Sequence, residues 1–215
     1  MGIFNVDGPV YRTISRFWDL VKLSFFWFVC SLPVLTLGPA TVAAFTICLK
    51  MTEDKEGYIV KPFFAAFKKN LKGGIPLGLL FLGAMYSIYL DTQCFKAFED
   101  MSVYFLIAGI IVGFVIYLSF VYAFALMARY ENKVIATIKN SYNISVRYFL
   151  RTLLLLIVLA IELIIIFWNY YTIIIGVVIG PGLIIYTIST MAMRFFREIE
   201  KEPGAVSNPE DIDEI

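Results

Sequence analysis

The chain has 215 residues, of which 60% are hydrophobic and 16% are charged, and its formal net charge is +1. A soluble globular domain has about 45–50% apolar and about 25% charged residues, so the composition indicates an integral membrane protein with one compact membrane domain. The chain has no histidine, and its three cysteines have no paired spacing. We therefore expect no zinc site, no disulfide framework, no cofactor and no histidine-dependent catalysis, and hence no enzyme.

The N-terminal segment, residues 1–19, has the pattern of an amphipathic helix at the membrane surface. Val10, Ile14, Phe17 and Trp18 recur at helical spacing, with arginines between them. The segment lacks the apolar core and small-residue cleavage site of a secretory signal. We therefore predict a surface helix that leads into the first apolar stretch.

This stretch, residues 20–49, contains two prolines and a glycine in the run SLPVLTLGPATVAAF. It is too long for one span of about 20 residues, and we predict a helical hairpin with spans at about 20–37 and 39–50. The turn is assigned to the motif Pro33, Thr36, Gly38 and Pro39. Gly38 would relax the turn, and Pro39 would suit the first turn of the returning helix. The hydroxyls of Ser31, Thr36 and Thr41 would satisfy backbone groups that the break leaves unpaired.

The returning arm of this hairpin is short. From Ala40 to Leu49 it would cover about 15 Å, half of the hydrocarbon core, so it is either re-entrant or a short span. The alternative is a single proline-kinked helix with the N-terminus outside, against the distribution of charge.

Four further segments are apolar over the length of a full span. They lie at roughly 74–93, 103–128, 151–168 and 171–193. The expected fold is thus an all-α, polytopic membrane bundle of five full spans plus the short returning or re-entrant helix. The membrane domain is predicted to cover residues 1–197, and residues 198–215 should form a disordered acidic tail.

Lysine and arginine mark the sides of the membrane. They cluster in residues 50–72, in residues 129–151 and at the start of the tail, whereas residues 91–101 and 169–171 hold a single lysine. Basic loops remain in the cytoplasm, so we predict a multi-pass protein of the cell membrane with both termini cytoplasmic.

Two features could carry function. Glu162 is the only acidic residue deep in a predicted span, where it would cost about 2.5–3.5 kcal/mol. It is either a relay for protons or cations, or a protonated carboxyl bonded to Ser119, Tyr122 or another interior hydroxyl. The second feature is a basic amphipathic stretch, whose cations would anchor it on anionic lipid or dock a cytoplasmic partner. These cations are Lys61, Lys68, Lys69 and Lys72.

Two motifs resemble a known family. They are the run P-x-x-T-x-G-P-A, from Pro33 to Ala40, and the run F-x-x-F-K-x-N, from Phe64 to Asn70. With an early FW pair, they resemble the YesL-like family of bacterial integral membrane proteins (domain of unknown function family 624). The resemblance implies no established activity. It implies an association with carbohydrate utilisation in Gram-positive bacteria.

Two functions follow as hypotheses. The first is an accessory membrane component linked to carbohydrate uptake or sensing, embedded in the lipid bilayer and bound to a sugar transporter or a sensor kinase. The second is a small transporter or channel that uses the broken hairpin and Glu162. No basic soluble face or phosphate-binding motif points to nucleic acid.

Overall fold

The computed structural model describes residues 9–53, 58–97, 102–130 and 132–201, and this part of the chain contains no strand. The expected all-α membrane bundle is confirmed. The described residues form nine α-helices and one 3₁₀ turn: α1 (Pro9–Ser31), η1 (Val34–Thr36), α2 (Leu37–Thr52), α3 (Val60–Lys69), α4 (Leu71–Ala97), α5 (Ser102–Phe120), α6 (Ala123–Arg129), α7 (Val134–Arg147), α8 (Phe149–Phe167) and α9 (Tyr170–Ile199).

Five segments are long and apolar enough to cross a membrane: Val34–Thr52, Leu71–Phe95, Val103–Arg129, Phe149–Phe167 and Tyr170–Ile199. The protein is therefore a multi-pass membrane protein. α1 is not among them, because Arg16, Asp19 and Lys22 fall in the middle of that helix. The predicted span 20–37 is not one helix either, since α1 ends at Ser31 and α2 has begun by Leu37.

The chain folds back on itself between α1 and α2. Trp27 Nε1 donates a hydrogen bond to Thr41 Oγ1 at 3.0 Å, although one continuous helix would separate these residues by about 21 Å. At the break between the two helices, Thr36 Oγ1 donates to the carbonyls of Cys30 and Pro33, at 2.6 and 2.8 Å. Ser31 does not share this role, because its buried hydroxyl has no partner.

Gly38 does not relax the turn, as the sequence suggested, but lies inside α2 where two backbones touch. A Cβ at this position would overlap the carbonyl oxygen of Gly74 and would lie 2.9 Å from the Cα of Gly78, both on α4. The glycine is needed because only a residue without a side chain lets helices approach so closely.

α2 is the central helix of the bundle. The apolar span that contains it is 61% buried within the protein, against 6–28% for the other four spans. It packs against α1, α3, α4, α6 and α9. The other spans expose their apolar side chains, as expected for helices that face lipid.

The predicted span 103–128 is two helices, α5 and α6, separated at Val121 and Tyr122. Serines of α7 bond the backbone at this break. Ser141 Oγ accepts from the N–H of Tyr122 at 3.2 Å, and Ser145 Oγ donates to the carbonyl of Leu118 at 2.8 Å. α7 is therefore packed into the bundle through a polar face.

α9 contains Pro181 and is continued through it by a contact with α1. Ser24 Oγ accepts from the N–H of Gly182 at 2.9 Å and donates to the carbonyl of Ile179 at 3.2 Å. A Cβ on Gly182 would lie 2.5 Å from this hydroxyl, so glycine is required for the approach. The backbone groups freed near the proline are thus met by a neighbouring helix.

The C-terminal boundary also differs from expectation. α9 extends to Ile199, so the predicted tail cannot begin at residue 198. Glu198 and Glu200 are ion-paired with Arg151 and Arg129. Residues 202–215, which hold most of the predicted acidic tail, lie outside the described residues.

Candidate functional site

A cleft of about 750 Å³ lies between the α4–α5 hairpin and the α8–α9 hairpin, and α1 and α2 close it on a third side. α5 meets α8 where Tyr117 donates to the carbonyl of Thr152 at 3.0 Å and where Phe114 packs against Phe149. Beyond these contacts the two hairpins face each other across the cleft. Its volume is within the range of about 300–1,000 Å³ that is typical of ligand pockets.

The wall of the cleft is almost entirely hydrocarbon. Its side-chain hydroxyl and N–H groups belong to Trp27, Thr41 and Tyr117, and all three donate hydrogen bonds within the protein. Phe167 and Val177 on the wall are 68% and 56% exposed, so the cleft is open to its surroundings. Such a surface can bind an apolar group but offers a hydrophilic solute no replacement for its hydration.

Glu162 of α8 faces α9 and does not line the cleft. Its Oε1 accepts a hydrogen bond from Thr187 Oγ1 at 2.6 Å, while its Oε2 is buried without a partner. The interior hydroxyl is thus neither of the two that the sequence suggested. Ser119 donates to the carbonyl of Val115, and the hydroxyl of Tyr122 is paired with Thr152.

The four lysines of the predicted basic helix lie on α3 and on the first turn of α4, and all are exposed: Lys61, Lys68, Lys69 and Lys72. The opposite face of α3 is buried through Phe63 and Ala66. Phe63 and Phe64 pack on Phe26 of α1, with ring centroids 6.0 and 5.8 Å apart. The helix is therefore fixed to the α1–α2 hairpin and presents its charges outward.

Residues 20–92 match the family described as "Protein of unknown function, DUF624". This match covers 73 of the 215 residues and supports an assignment to the DUF624 family. No curated protein and no solved structure matches the chain. The resemblance given by the proline–glycine run and the basic helix is thereby confirmed, and the carbohydrate association is not addressed by this match.

The matched part of the chain begins in α1 and ends in α4, so it contains the hairpin, the basic helix and the contact of Gly38 with Gly74 and Gly78. The cleft is completed by α5, α8 and α9, which lie beyond it. The part of the cleft formed by α1, α2 and α4 thus lies within the match, and the part formed by α5, α6, α8 and α9 lies beyond it.

An ion cluster that no sequence pattern predicted joins three distant helix ends. Arg129, at the end of α6, forms a two-bond contact with Glu200, with Nε–Oε1 and Nη2–Oε2 distances of 3.0 and 3.1 Å. Its Nη1 also donates to Glu53, after α2, at 3.1 Å. Nearby, Arg151 contacts both oxygens of Glu198 at 2.8 and 2.9 Å. We call this end of the bundle the basic end.

The cluster perturbs Tyr130, whose hydroxyl donates to Glu200 at 2.9 Å. Burial raises the pKa of Tyr130 to about 12, and the hydrogen bond and the charge of Glu200 act in the same direction. Only Arg129 opposes them. Within residues 9–53, 58–97, 102–130 and 132–201, no group of three or more metal-ligating side chains lies together.

Proposed function

We propose that this DUF624 protein is an accessory component of the bacterial cell membrane, without chemistry of its own, which binds another membrane protein of carbohydrate uptake or sensing. The observation that carries the proposal is the cleft. It is large, open and apolar, and its few polar side-chain groups are bonded within the wall.

The dimensions of the cleft favour a partner helix. Its wall on α9 runs from Ile173 to Ile188, about 22 Å along the helix axis, which is most of the roughly 30 Å hydrocarbon core. Helices associate in membranes through close van der Waals packing, which an unfilled apolar groove provides. A span of a sugar transporter or of a sensor kinase is the proposed occupant, and the link to carbohydrate rests on the family resemblance alone.

The test is site-specific photo-crosslinking in cells. A photoreactive residue replaces Leu163, which lines the cleft and is 45% exposed; the matched control is Leu154, on the same helix, 54% exposed and outside the cleft. We expect an adduct between position 163 and a membrane span of a sugar transporter or sensor kinase, and no such adduct from position 154. Adducts with lipid only, or equal protein adducts from both positions, would remove the proposal.

A small transporter or channel is the second candidate, because Glu162 keeps one buried carboxyl oxygen without a partner. Its test is flux in proteoliposomes. If Glu162→Gln abolishes flux of an ion or solute while the protein stays folded, the transporter replaces the accessory role. If the wild-type protein gives no flux above empty liposomes, this candidate is abandoned.

The proposed orientation places both termini in the cytoplasm, which requires α1 to cross the membrane opposite to α2 although α1 is not among the five apolar spans. It is supported by the meeting of the three basic segments at one end of the bundle, as shared contacts of Glu53, Arg129 and Glu200 require. Basic segments remain in the cytoplasm, so the basic end would face it. A reporter fused before Tyr11 and another after the last residue should both give cytoplasmic signals. An external signal from the first would show that α1 does not cross the membrane and would contradict the proposed orientation.

A further inference from the structure

One face of α3 is turned away from the rest of the bundle. Lys61 and Lys68 are seven residues apart, which is nearly two turns, so they lie on the same side of α3, about 10 Å apart along its axis. Phe64 and Ala65 lie between them on the helix surface, and all four side chains are exposed. Lys72, in the first turn of α4, is exposed as well. None of these residues lines the apolar cleft.

The positive charge of this face is not neutralised by neighbouring side chains. Within the described residues, Lys61, Lys68 and Lys72 form no hydrogen bond or ion pair. Lys69 does have an interaction partner, so it adds nothing to this excess of charge. Residues 58–73 contain no aspartate or glutamate. Three ammonium groups are therefore available to anionic groups outside the protein.

The same face also exposes apolar side chains. Phe64 is 40% exposed, and Val60, one turn before it, is 45% exposed. This apolar surface continues onto α1, because Phe64 packs edge-to-face on Phe26, and Phe26 packs on Phe25, which is 62% exposed. Water alone would solvate the lysines but not the rings beside them. The face therefore fits a boundary at which hydrocarbon and charged groups meet.

We propose that this face of α3 binds the headgroups of anionic phospholipids at the edge of the bilayer. The ammonium groups of Lys61, Lys68 and Lys72 contact phosphate oxygens, while Phe64 and Val60 reach the acyl chains. Helices with phenylalanine on one side and lysine on the other lie in the membrane interface in this way. The long lysine stems cover apolar surface and place their charge among the headgroups.

An acidic protein segment would also neutralise the lysines, but the packing of α3 favours the bilayer. On the opposite face of α3, Phe63 is fully buried and packs on Phe26 of α1, with ring centroids 6.0 Å apart. This contact fixes α3 to the α1–α2 hairpin of a membrane bundle, so its lysines are held next to lipid. A protein partner would have to displace that lipid from Phe64 before it reached them.

The experiment is photo-crosslinking of the full-length protein in vesicles that contain equal parts of dioleoylphosphatidylglycerol and dioleoylphosphatidylcholine. A photoreactive residue replaces Ala65, and mass spectrometry identifies the lipid adducts. One lysine near an anionic surface favours binding about fivefold, so we expect at least about a fivefold excess of phosphatidylglycerol adducts. Absence of lipid adducts, or adducts in the ratio of the two lipids in the vesicles, would overturn the proposal.

Charge variants separate this face from attraction by the net charge of the protein. The combined substitutions Lys61→Gln, Lys68→Gln and Lys72→Gln should reduce the excess to less than about twofold. The control variant replaces by glutamine three exposed lysines that lie outside α3 and α4: Lys133, Lys139 and Lys201. It removes the same amount of charge and should leave the excess within about twofold of the wild-type value. An equal loss in both variants would show that the attraction is diffuse and would overturn the proposal.

Two further conditions test the nature of the partner. In about 1 M salt the Debye length falls to about 3 Å, so the excess of phosphatidylglycerol adducts should largely disappear; an excess that resists salt would contradict the role of charge. In cells, position 65 should again give lipid adducts. A discrete protein adduct in their place would show that α3 docks a protein and would overturn the proposal. These outcomes do not depend on the occupant of the cleft, because α3 does not line it.

Discussion

Replacing Gly38 by alanine tests the close contact on which the packing of α2 depends. The added Cβ would overlap the carbonyl oxygen of Gly74 and would lie 2.9 Å from the carbonyl carbon of Gly74 and the Cα of Gly78. Carbon atoms in contact are normally about 3.5–4.0 Å apart. Every atom that the methyl group meets is backbone, so no side-chain rotation can relieve the overlap.

α2 must therefore move away from α4 by roughly 1 Å or more, because the overlap with the oxygen of Gly74 is deeper than the two carbon contacts, and a gap of that size forfeits about half of each dispersion contact across it. Overpacking of this kind costs about 1–3 kcal/mol, and for a chain of this length each kcal/mol lowers the melting temperature by about 2–4 °C. We expect Gly38→Ala to lower the melting temperature by about 2–12 °C. The measurement is thermal unfolding in mild detergent, followed by near-ultraviolet circular dichroism.

Gly83→Ala is the matched control. Gly83 lies on α4, and a Cβ there meets nothing within 4 Å. Alanine is favoured over glycine inside a helix by about 0.5–1 kcal/mol, so this variant should melt at the wild-type temperature or up to about 4 °C above it. The same substitution on two facing helices thus has opposite expected signs. Equal melting temperatures for Gly38→Ala and the wild type would show that the reasoning about the contact is wrong.

Three further predictions concern polar contacts. Ser24→Ala removes the hydroxyl that accepts from the N–H of Gly182. Such bonds contribute about 0.6–1.7 kcal/mol in membranes, so the melting temperature should fall by several degrees. An unchanged melting temperature would mean that water or the backbone replaces the hydroxyl. Thr187→Val should lower the melting temperature, because it removes the hydroxyl that donates to Glu162. Adding Glu162→Leu to this variant should restore the melting temperature, because both partners are then apolar. Continued instability of the double variant would contradict this reasoning. Tyr130 has a pKa of about 12 against an unfolded value of 10.0, so its contribution is complete below pH 10 and is lost as the pH rises to 12. The melting temperature of Tyr130→Phe should therefore fall less between pH 10 and 12 than that of the wild type, and parallel curves would refute it.

The positions of the long helices could be predicted because they depend on local composition. A run of about 20 apolar residues is stable in lipid only as a helix, so α4, α8 and α9 begin and end within a few residues of the expected spans, apart from extensions at their polar ends. The proline–glycine run likewise marked the break between α1 and α2, since proline cannot continue a helix normally. These inferences need no knowledge of neighbouring helices.

The alignment of helices that are distant in the sequence could not be predicted. The break between α5 and α6 has no proline or glycine, and its cause is visible only when Ser141 and Ser145 of α7 lie beside it. The partner of Glu162 depends on how α8 is aligned with α9, which no local pattern encodes. The early end assigned to the membrane domain has the same origin, because Glu198 looks like part of an acidic tail until Arg151 is placed next to it.

The role of Gly38 illustrates a further limit. A glycine next to a proline in a loop-like run predicts a turn, because turn chemistry is the commonest local reason for the pair. In this protein the turn is made by Leu32 to Thr36, and the glycine follows it inside α2 to admit the backbone of α4. The proline–glycine run thus makes the turn and also admits the backbone of α4, and only the second role depends on the rest of the bundle.

Several serine and threonine hydroxyls of this bundle bond backbone groups where a span is interrupted. The buried polar groups without this role need a separate explanation. At three of the four places where a described span is broken or carries an internal proline, serine or threonine bonds the exposed backbone: Thr36 after α1, Ser141 and Ser145 between α5 and α6, and Ser24 beside Pro181. The fourth place is Pro76 in α4. Ser31 and Ser189 have unpartnered hydroxyls, but a serine on a helix can reach a carbonyl of the preceding turn by rotation.

Asn140 and Glu162 cannot be explained in this way. An amide or a carboxyl group is larger, has more bonding positions and is more costly to bury than a hydroxyl, and each of these two residues keeps one buried atom without a partner, as does Asn132 before α7. Neither stabilises a helix break. Selection for stability alone would replace them with apolar residues of similar size, since that removes the unmet bonds.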